Sequence, residues 1–406
     1  MSEMRTTVNL EPTRFLDNGF KPFFLGGAVF GTLAIAIWLV LFRGLLAYQP
    51  AQLSPSIWHG HEMVFGFTGA IIAGFLLTAV RNWTSLPTLS HAPLAALVML
   101  WGIARAMLLM PYHSTALLGL GFDIFFECVL IYVITRPIAA RGQLRRQFPV
   151  LLGCTWLTLS NIGFWYALSN ASYHQEHMAL TSGVMAVVYL ILVIAARVIP
   201  FFFSRRIVGY VRPSENSLLT LCSHALFMLF ALMAIFDLEG ILICILAFAL
   251  ATIHGAKLYG WLHTKVWQHP MTWILALGYL FIPLGFALYG LTVMSPETTS
   301  LALHTLTVGA IGSFCLGMMT RVSLGHSGLD IYSPPRGVSI AFALVASGAA
   351  IRVLMPLSWP EHYVWWITLA QLTWILSFGW FTVTYGPLLV GERRSKRVAG
   401  KPPCQP

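Results

Sequence analysis

The strongest constraint in this sequence is the alternation of long apolar runs with short polar connections. A membrane-spanning helix needs about 20 mostly apolar residues, and twelve such runs can be marked along the 406 residues. Only 9% of the residues are charged, whereas a soluble globular domain carries about 25%. So few charges cannot solvate a surface of this size in water. The sequence therefore predicts an all-α, polytopic membrane protein.

We predict a single transmembrane domain over residues 1–406, a helix bundle with the N- and C-termini in the cytoplasm. Its spans are expected at 22–47, 58–80, 91–110, 115–136, 147–168, 178–203, 217–236, 239–260, 270–291, 299–320, 337–357 and 362–390. Basic residues concentrate in alternate connections and in both terminal segments, as is typical of cytoplasmic loops. We therefore interpret the net charge of +10 as the result of basic cytoplasmic loops, which orient the chain in the membrane. We expect contact with the lipid bilayer and no nucleic-acid partner.

The cysteines and the N-terminal segment argue against three further features. None of the six cysteines forms a C-x-x-C or C-x-x-C-H motif, which argues against a redox dithiol and against c-type haem attachment. The polar start leads into the first apolar run without a cleavage site, so we expect no signal peptide. We also expect no strong internal repeat.

The second predicted span opens with the sequence W-H-G-H-E-M at 58–63. A regular helix places on one face a small and polar set of positions that can pack against helices or a planar cofactor, namely 59, 62, 66, 70, 73 and 77. His61 lies about 200° round the helix from His59, so the two cannot ligate one metal from the same side. The alternative is an interfacial helix cap with hydrogen-bonded histidines.

The tenth predicted span carries His304 at a depth comparable to that of His59 and His61, on a second glycine-rich helix. A b-type haem takes axial ligands from opposite faces of its ring, and small residues make room for the porphyrin. Imidazole nitrogens are equally good ligands for copper. The alternative is a buried histidine satisfied by hydrogen bonds.

Charged residues within the spans add a third group of candidates. Arg105 and Asp123 lie at depths that allow an ion pair, and Glu127 follows one turn deeper. The pair can simply fix the packing of two helices. Alternatively, Arg105 or Arg352 holds a haem propionate while Asp123 and Glu127 line a polar path.

Two further histidines lie near the opposite, inner side of the membrane. His224 in the seventh span and His254 in the eighth have matching depths. They are either a second ligand pair or ordinary histidines of the inner interface. The histidines of the loops are expected to be solvated.

Four stretches resemble those of the NnrS family, integral membrane proteins of denitrifying and nitric-oxide-exposed bacteria. They are residues 58–67, 73–84, 302–310 and 319–328, and the likeness runs from Lys21 to about His326. The resemblance implies a multi-pass protein of the bacterial inner (cytoplasmic) membrane that contains haem b and copper. It further implies a role in nitric oxide metabolism, denitrification or the relief of nitrosative stress.

The family's motif positions fall on nine residues of this chain, namely His59, His61, Glu62, Arg81, Asn82, Trp83, His304, Arg321 and His326. For cofactor binding, the resemblance and the span analysis together nominate His59, His61, His304, Arg105, Arg352 and Arg81. For metal binding they nominate His59, His61, His304, His326 and Glu62. Relatives often have a histidine in the ninth span where this chain has Ala276, which puts one metal site in doubt.

Three functions compete at this point. The first is haem and copper chemistry on nitric oxide, with an unidentified electron donor; as an enzyme, the protein would be an oxidoreductase. The second is a transporter without a prosthetic group, although no corresponding pair of broken helices is evident in the two halves. The third, a standard haem-copper oxidase, is disfavoured because the chain has no adjacent His-His pair.

Overall fold

The computed structural model describes residues 15–214, 216–295 and 298–391. Within these ranges the chain is helical and has no strand. Twelve helices are long and apolar enough to cross a membrane, which confirms the predicted all-α fold. We number them α1 to α12 in chain order: Phe20–Phe42, Pro55–Thr84, His91–Leu109, His113–Ala140, Leu144–Ser169, Tyr173–Arg206, Ser217–Ile235, Ile241–Trp261, Pro270–Gly290, Thr298–His326, Val338–Ser358 and Pro360–Val390.

The observed helices differ from the predicted spans mainly at their ends. The sixth prediction, 178–203, grows to Tyr173–Arg206, because a helix can keep its backbone hydrogen bonds after its side chains become polar. The first prediction, 22–47, is too long at its end. There α1 stops at Phe42, and Gly44 adopts a φ of 65°, which turns the chain out of the helix.

An even number of crossings places Phe15 and Gly391 at the same end of the bundle, which we call the inner end. The predicted cytoplasmic termini themselves lie outside the described residues. Because α2 and α10 both run inward from the opposite, outer end, their first residues lie at comparable depth. This arrangement carries the motif histidines of both helices to the outer end.

The centre of the bundle is formed by α2 and α10. Of their most apolar stretches, 83% and 78% are buried, whereas the values for the peripheral α3 and α7 are both 33%. α1 packs against α2, α10 and α12, and α6 touches both central helices. Exposed leucine and valine side chains such as Leu33, Leu118 and Val383 cover the outside, as expected for a surface that faces lipid.

Both central helices contain a π-helical segment of seven residues. These segments are Glu62–Thr68 in α2 and Thr305–Ile311 in α10. A π turn accommodates one extra residue, and such turns are frequent at functional sites. In α2 the altered backbone is hydrogen-bonded from two sides. The Thr68 hydroxyl donates to the Met63 carbonyl (2.8 Å), and Trp101 Nε1 donates to the Gly66 carbonyl (2.9 Å).

Candidate functional site

The structure separates the outer-end candidates into two clusters. The first, the Arg105 cluster, joins α2 to α3, α4 and α5. Arg105 approaches Glu62 Oε2 at 3.0 Å through one terminal nitrogen and pairs with Asp123 Oδ2 through the other. The predicted Arg105–Asp123 pair is thus present, and Glu62 is a second counter-ion that the spacing did not indicate.

His61 lies at the edge of the Arg105 cluster. Its Nδ1 is 3.2 Å from Glu62 Oε1, and its Nε2 is 3.1 Å from Asn161 Oδ1. The Asn161 amide in turn donates to Asp123 Oδ2 and Glu127 Oε1, each at 3.2 Å. All of these side chains are buried. The cluster therefore satisfies most of its polar groups within the chain, as buried polar networks must.

Two oxygens in this network have no hydrogen-bond partner among the described residues, namely Asp123 Oδ1 and Glu127 Oε2. Glu127 also lines a cavity of about 10 Å³ together with Cys154 and Thr158. A cavity of that volume holds roughly one water molecule. The Arg105 cluster therefore has room for a single hydration site on its inner side.

The contacts of His61 bear on its predicted role. Both ring nitrogens are already within hydrogen-bonding distance of side-chain oxygens, so a metal would have to displace Glu62 or Asn161. Arg105 likewise has its counter-ions within the chain and does not need a propionate. The assignments of His61, Glu62 and Arg105 to a cofactor remain predictions, but the geometry favours a structural role.

The second group, the Arg352 cluster, joins α10 to α11 and α2. His304 Nδ1 is 2.7 Å from the carbonyl oxygen of Ser300, one turn earlier on α10. This contact requires the proton on Nδ1, so the lone pair of the neutral ring resides on Nε2. A backbone carbonyl in this position is the usual orienting partner of a metal-bound histidine. His304 Nε2 therefore carries the lone pair that could ligate a metal, and Arg352 NH2 lies 3.4 Å from it.

His59 is the second histidine of the Arg352 cluster. Its ring stacks on Trp38, with 4.9 Å between centroids and 7° between planes, and the stack fixes its orientation. His59 Nδ1 is buried and has no hydrogen-bond partner among the described residues. His59 also interacts electrostatically with both Arg352 and His304. His59 is therefore placed with His304 and Arg352, while His61 faces the other cluster; a shared ligand for His59 and His304 stays a prediction.

Arg352 differs from Arg105 in its counter-ions. It is 6% exposed, and no carboxylate in the described part of the chain lies within ion-pair distance of it. Its NH2 group contacts Ser300 Oγ at 3.3 Å and the ring of His304, and its NH1 group has no hydrogen-bond partner there. A buried cation with these neutral neighbours is costly unless an anion compensates it.

The remaining motif residues lie at the inner end. Arg81 donates to Asn18 Oδ1 at 2.8 Å, and Asn82 Nδ2 is 3.5 Å from His326 Nε2. The Arg321 guanidinium lies 3.8 Å from the ring centroid of Phe202. His326 and His304 occupy opposite ends of α10, roughly 30 Å apart at the rise of a helix. Any metal or cofactor held by His326 or Arg81 would therefore occupy a separate site.

The two histidines near the inner end, His224 and His254, contact different side chains. His254 Nδ1 is 2.8 Å from the Tyr279 hydroxyl, and its Nε2 is 3.2 Å from Ser223 Oγ. His224 lies edge-on to Tyr189 instead. Ala276 is buried in α9 one turn before Tyr279. Across the residues that the structure describes, no three His, Cys, Asp or Glu side chains form a group able to hold a metal ion.

Sequence reasoning missed two features of this site. Asn161, which links His61 to Asp123 and Glu127, was not singled out, although a carboxamide within an apolar span is a usable signal. The second feature is a local repeat. From His61 the glycines follow at 66, 69 and 74, and from His304 at 309, 312 and 317, with identical spacing. Each histidine immediately precedes its π segment.

The described residues define a membrane protein with twelve candidate spans, whose outer end holds two arginine–histidine clusters. Within those residues the Arg105 cluster contains its own counter-ions and the Arg352 cluster contains none. The model of the family described as NnrS protein matches residues 14–393. The chain therefore belongs to the NnrS family, as its motifs predicted. This membership fits a nitric-oxide-related membrane protein. No curated protein matches the chain.

Proposed function

We propose that this protein acts in nitric oxide metabolism or the relief of nitrosative stress in the bacterial inner membrane, through haem b and copper. The observation that carries the proposal is the Arg352 cluster. It combines a buried arginine that has no carboxylate neighbour in the described chain with two histidines that offer ring nitrogens for ligation. An anionic, metal-containing group would satisfy all three side chains together.

The residues present fit such a group in their donor chemistry. Imidazole nitrogens ligate both haem iron and copper. The candidate donors are His59 Nδ1, which has no hydrogen-bond partner among the described residues, and His304 Nε2, where a metal would displace the Arg352 NH2 contact at 3.4 Å. Arg352 would hold the carboxylate of a haem propionate by charge-assisted hydrogen bonds. When bound, the iron or copper would supply the nitric oxide binding and electron transfer that amino-acid side chains lack.

The protein's own contribution is orientation and charge. The Ser300 carbonyl holds the proton of His304 on Nδ1, and Trp38 fixes the plane of His59. Arg352 places a positive charge against the His304 ring, 3.3 Å from its Nδ1, which favours an anionic ligand. The Arg105 cluster holds the neighbouring helices in place.

The first test is the absorption spectrum of the purified protein, oxidised and reduced, with iron and copper measured on the same sample. We expect a Soret band that shifts when nitric oxide is added. His59→Ala and His304→Ala should each change the spectrum or the metal content, and Arg352→Met should weaken cofactor retention. His174→Ala is the matched control, because His174 is an exposed histidine at the outer end, paired only with Asp237 at 3.9 Å.

A transporter without a prosthetic group is the second candidate. The paired π segments of α2 and α10 favour it, because irregular helix segments often mark transport sites. A folded, colourless and metal-free protein, expressed with haem and copper supplied, would refute the cofactor proposal and leave the transporter in the lead. Consumption of nitric oxide by the loaded protein with an added reductant would instead identify an oxidoreductase.

A further inference from the structure

Glu127 is a buried acidic residue near the middle of the membrane. It lies about halfway along α4, which has 28 residues and crosses the whole bundle, so it is close to the centre of the hydrocarbon core. Glu127 is 5% exposed, and no Lys, Arg or His among the described residues lies within ion-pair distance of it. A carboxylate in this position is costly unless its charge is paired or removed.

The rest of the Arg105 cluster does not supply the missing positive charge. It holds two further carboxyl groups, Glu62 and Asp123, and both contact Arg105. Among the described residues, His61 is the only other group of the cluster that can be positive. Three carboxyl groups thus face at most two positive charges, so the buried network is neutral only if at least one carboxyl group holds a proton. Glu62 and Asp123 contact the guanidinium directly, which leaves Glu127 as the position of the proton.

The contacts of Glu127 fit a neutral carboxylic acid. Its Oε1 accepts a hydrogen bond from the Asn161 amide at 3.2 Å, as the carbonyl oxygen of an acid can. Its Oε2 has no hydrogen-bond partner among the described residues and is free to carry the acid proton. The other titratable groups that face it are the thiols of Cys128 on α4 and Cys154 on α5, which are uncharged near neutral pH and add no positive charge.

The cavity of about 10 Å³ beside Glu127 has room for roughly one water molecule. Apart from Glu127, the polar side chains of its wall are those of Thr158 and Cys154. The Thr158 hydroxyl donates to the Cys154 carbonyl at 3.2 Å and lies beside the Glu127 carboxyl, so its oxygen is left to accept a hydrogen bond. A single water between Glu127 and Thr158 suits this wall, whereas hard metal cations take six or more oxygen ligands.

We propose that Glu127 is a proton-binding site within the membrane, a neutral acid whose proton exchanges through one water molecule in this cavity. In the exchange, Oε2 gives its proton to the water and takes another back, so the carboxyl group stays neutral and no other reactant is consumed. Asn161 connects the site to His61, whose Nε2 lies 3.1 Å from the Asn161 side-chain oxygen. The site is independent of any haem or copper, so it can be tested on protein that lacks both.

The experiment is infrared spectroscopy of the purified full-length protein in detergent at neutral pH, in H2O and in D2O. A protonated carboxyl group absorbs above the amide I band, where a carboxylate does not. One sample is labelled with carbon-13 at the side-chain carboxyl of its glutamates, which distinguishes Glu from Asp. The test variant is Glu127→Gln. The matched control is Glu361→Gln, because Glu361 is an exposed glutamate at the outer end, outside the cavity.

We expect a carboxyl band that shifts to lower frequency in D2O and with the glutamate label, is lost in Glu127→Gln and is kept in Glu361→Gln. The proposal is overturned if the unaltered protein lacks such a band or if Glu127→Gln retains it. A band that ignores the glutamate label would place the proton on Asp123 instead. A band that does not move after long incubation in D2O would exclude exchange. A band seen only when choline replaces sodium would identify a cation site.

Two further readouts keep the test independent of how well Glu127→Gln folds. Thr158→Val keeps the shape of the cavity wall and the carboxyl group, so the band should shift in frequency and persist; an unshifted band would count against water beside Thr158. Glu127→Gln should keep the thermal unfolding midpoint, because an amide replaces a neutral acid of the same shape, whereas Glu62→Gln should lower it by removing a partner of Arg105. Equal losses in both variants would show that Glu127 is a carboxylate.

Discussion

Replacement of Arg105 by methionine should cost far more stability than replacement of an exposed arginine. The change leaves Glu62 and Asp123 buried without their counter-ion. Two unit charges at the 3.0 Å of the Arg105–Glu62 contact attract each other by about 5 kcal/mol at an effective dielectric constant of 20. Desolvation offsets much of this attraction, and removal of one partner of a buried pair typically costs about 3–5 kcal/mol.

The assay is equilibrium unfolding in mixed micelles with increasing dodecyl sulfate, followed by tryptophan fluorescence. Arg105→Met should lower the free energy of unfolding by about 3–5 kcal/mol, and Arg136→Met by less than about 0.5 kcal/mol. Adding Glu62→Gln and Asp123→Asn to Arg105→Met should recover at least half of the loss, because the uncompensated charges are then gone. A loss below about 1 kcal/mol, or no recovery in the triple variant, would refute the reasoning.

Three further predictions concern Arg352, Gly66 and His269. Arg352→Met should not destabilise cofactor-free protein in that unfolding assay, because Arg352 forms no ion pair with a carboxylate among the described residues. Gly66→Ala should lower the unfolding midpoint, because its methyl group would meet Arg105 and Glu62, whereas Gly69→Ala, with nothing within 4 Å, should not. Arg206 NH2 lies 3.1 Å from His269 Nδ1, and burial, and then the charge of Arg206, lowers the pKa of His269 below 6.5. The stability that neutral His269 contributes is therefore complete above pH 6.5 and is lost as the pH falls through the folded pKa. Arg206→Gln should raise the His269 titration midpoint in nitrogen-15 NMR spectra, and an unchanged midpoint would contradict the assignment.

The number and order of the spanning helices could be predicted because hydrocarbon imposes one requirement on every span. The backbone must satisfy its own hydrogen bonds over about 20 apolar residues. The helix ends were less accurate, as the growth of 178–203 to Tyr173–Arg206 illustrates. Beyond the apolar run, local capping and packing determine where a helix stops, and neither is visible in hydropathy.

The sequence indicated which candidate residues lie near the outer end. It indicated less well which of them contact one another. The angular argument separated His59 from His61, and the structure places their rings beside different neighbours, Trp38 and Asn161. Matching depth did not distinguish which of the two accompanies His304, and the ligand roles of all three histidines stay predictions. The counter-ion Glu62 and the linking Asn161 were missed, because helix contacts across the bundle decide which side chains meet. Matching depth also suggested the His224–His254 pair; these rings interact electrostatically, but His254 contacts Ser223 and Tyr279 whereas His224 contacts Tyr189.

Because of the π segments, the number of residues between His61 and Gly66 has more effect on which side chains face each other than the length of the span has. An extra residue advances the helical phase by about 100°, so side chains on either side of the segment do not follow one continuous helical wheel. Deleting one residue from Glu62–Thr68 would leave a helix still long enough to cross the bilayer. It would, however, rotate the outer histidines relative to the glycines below them. The same argument applies to His304 and Gly309, so equivalent insertions or deletions in either helix would alter which side chains face each other at the outer end.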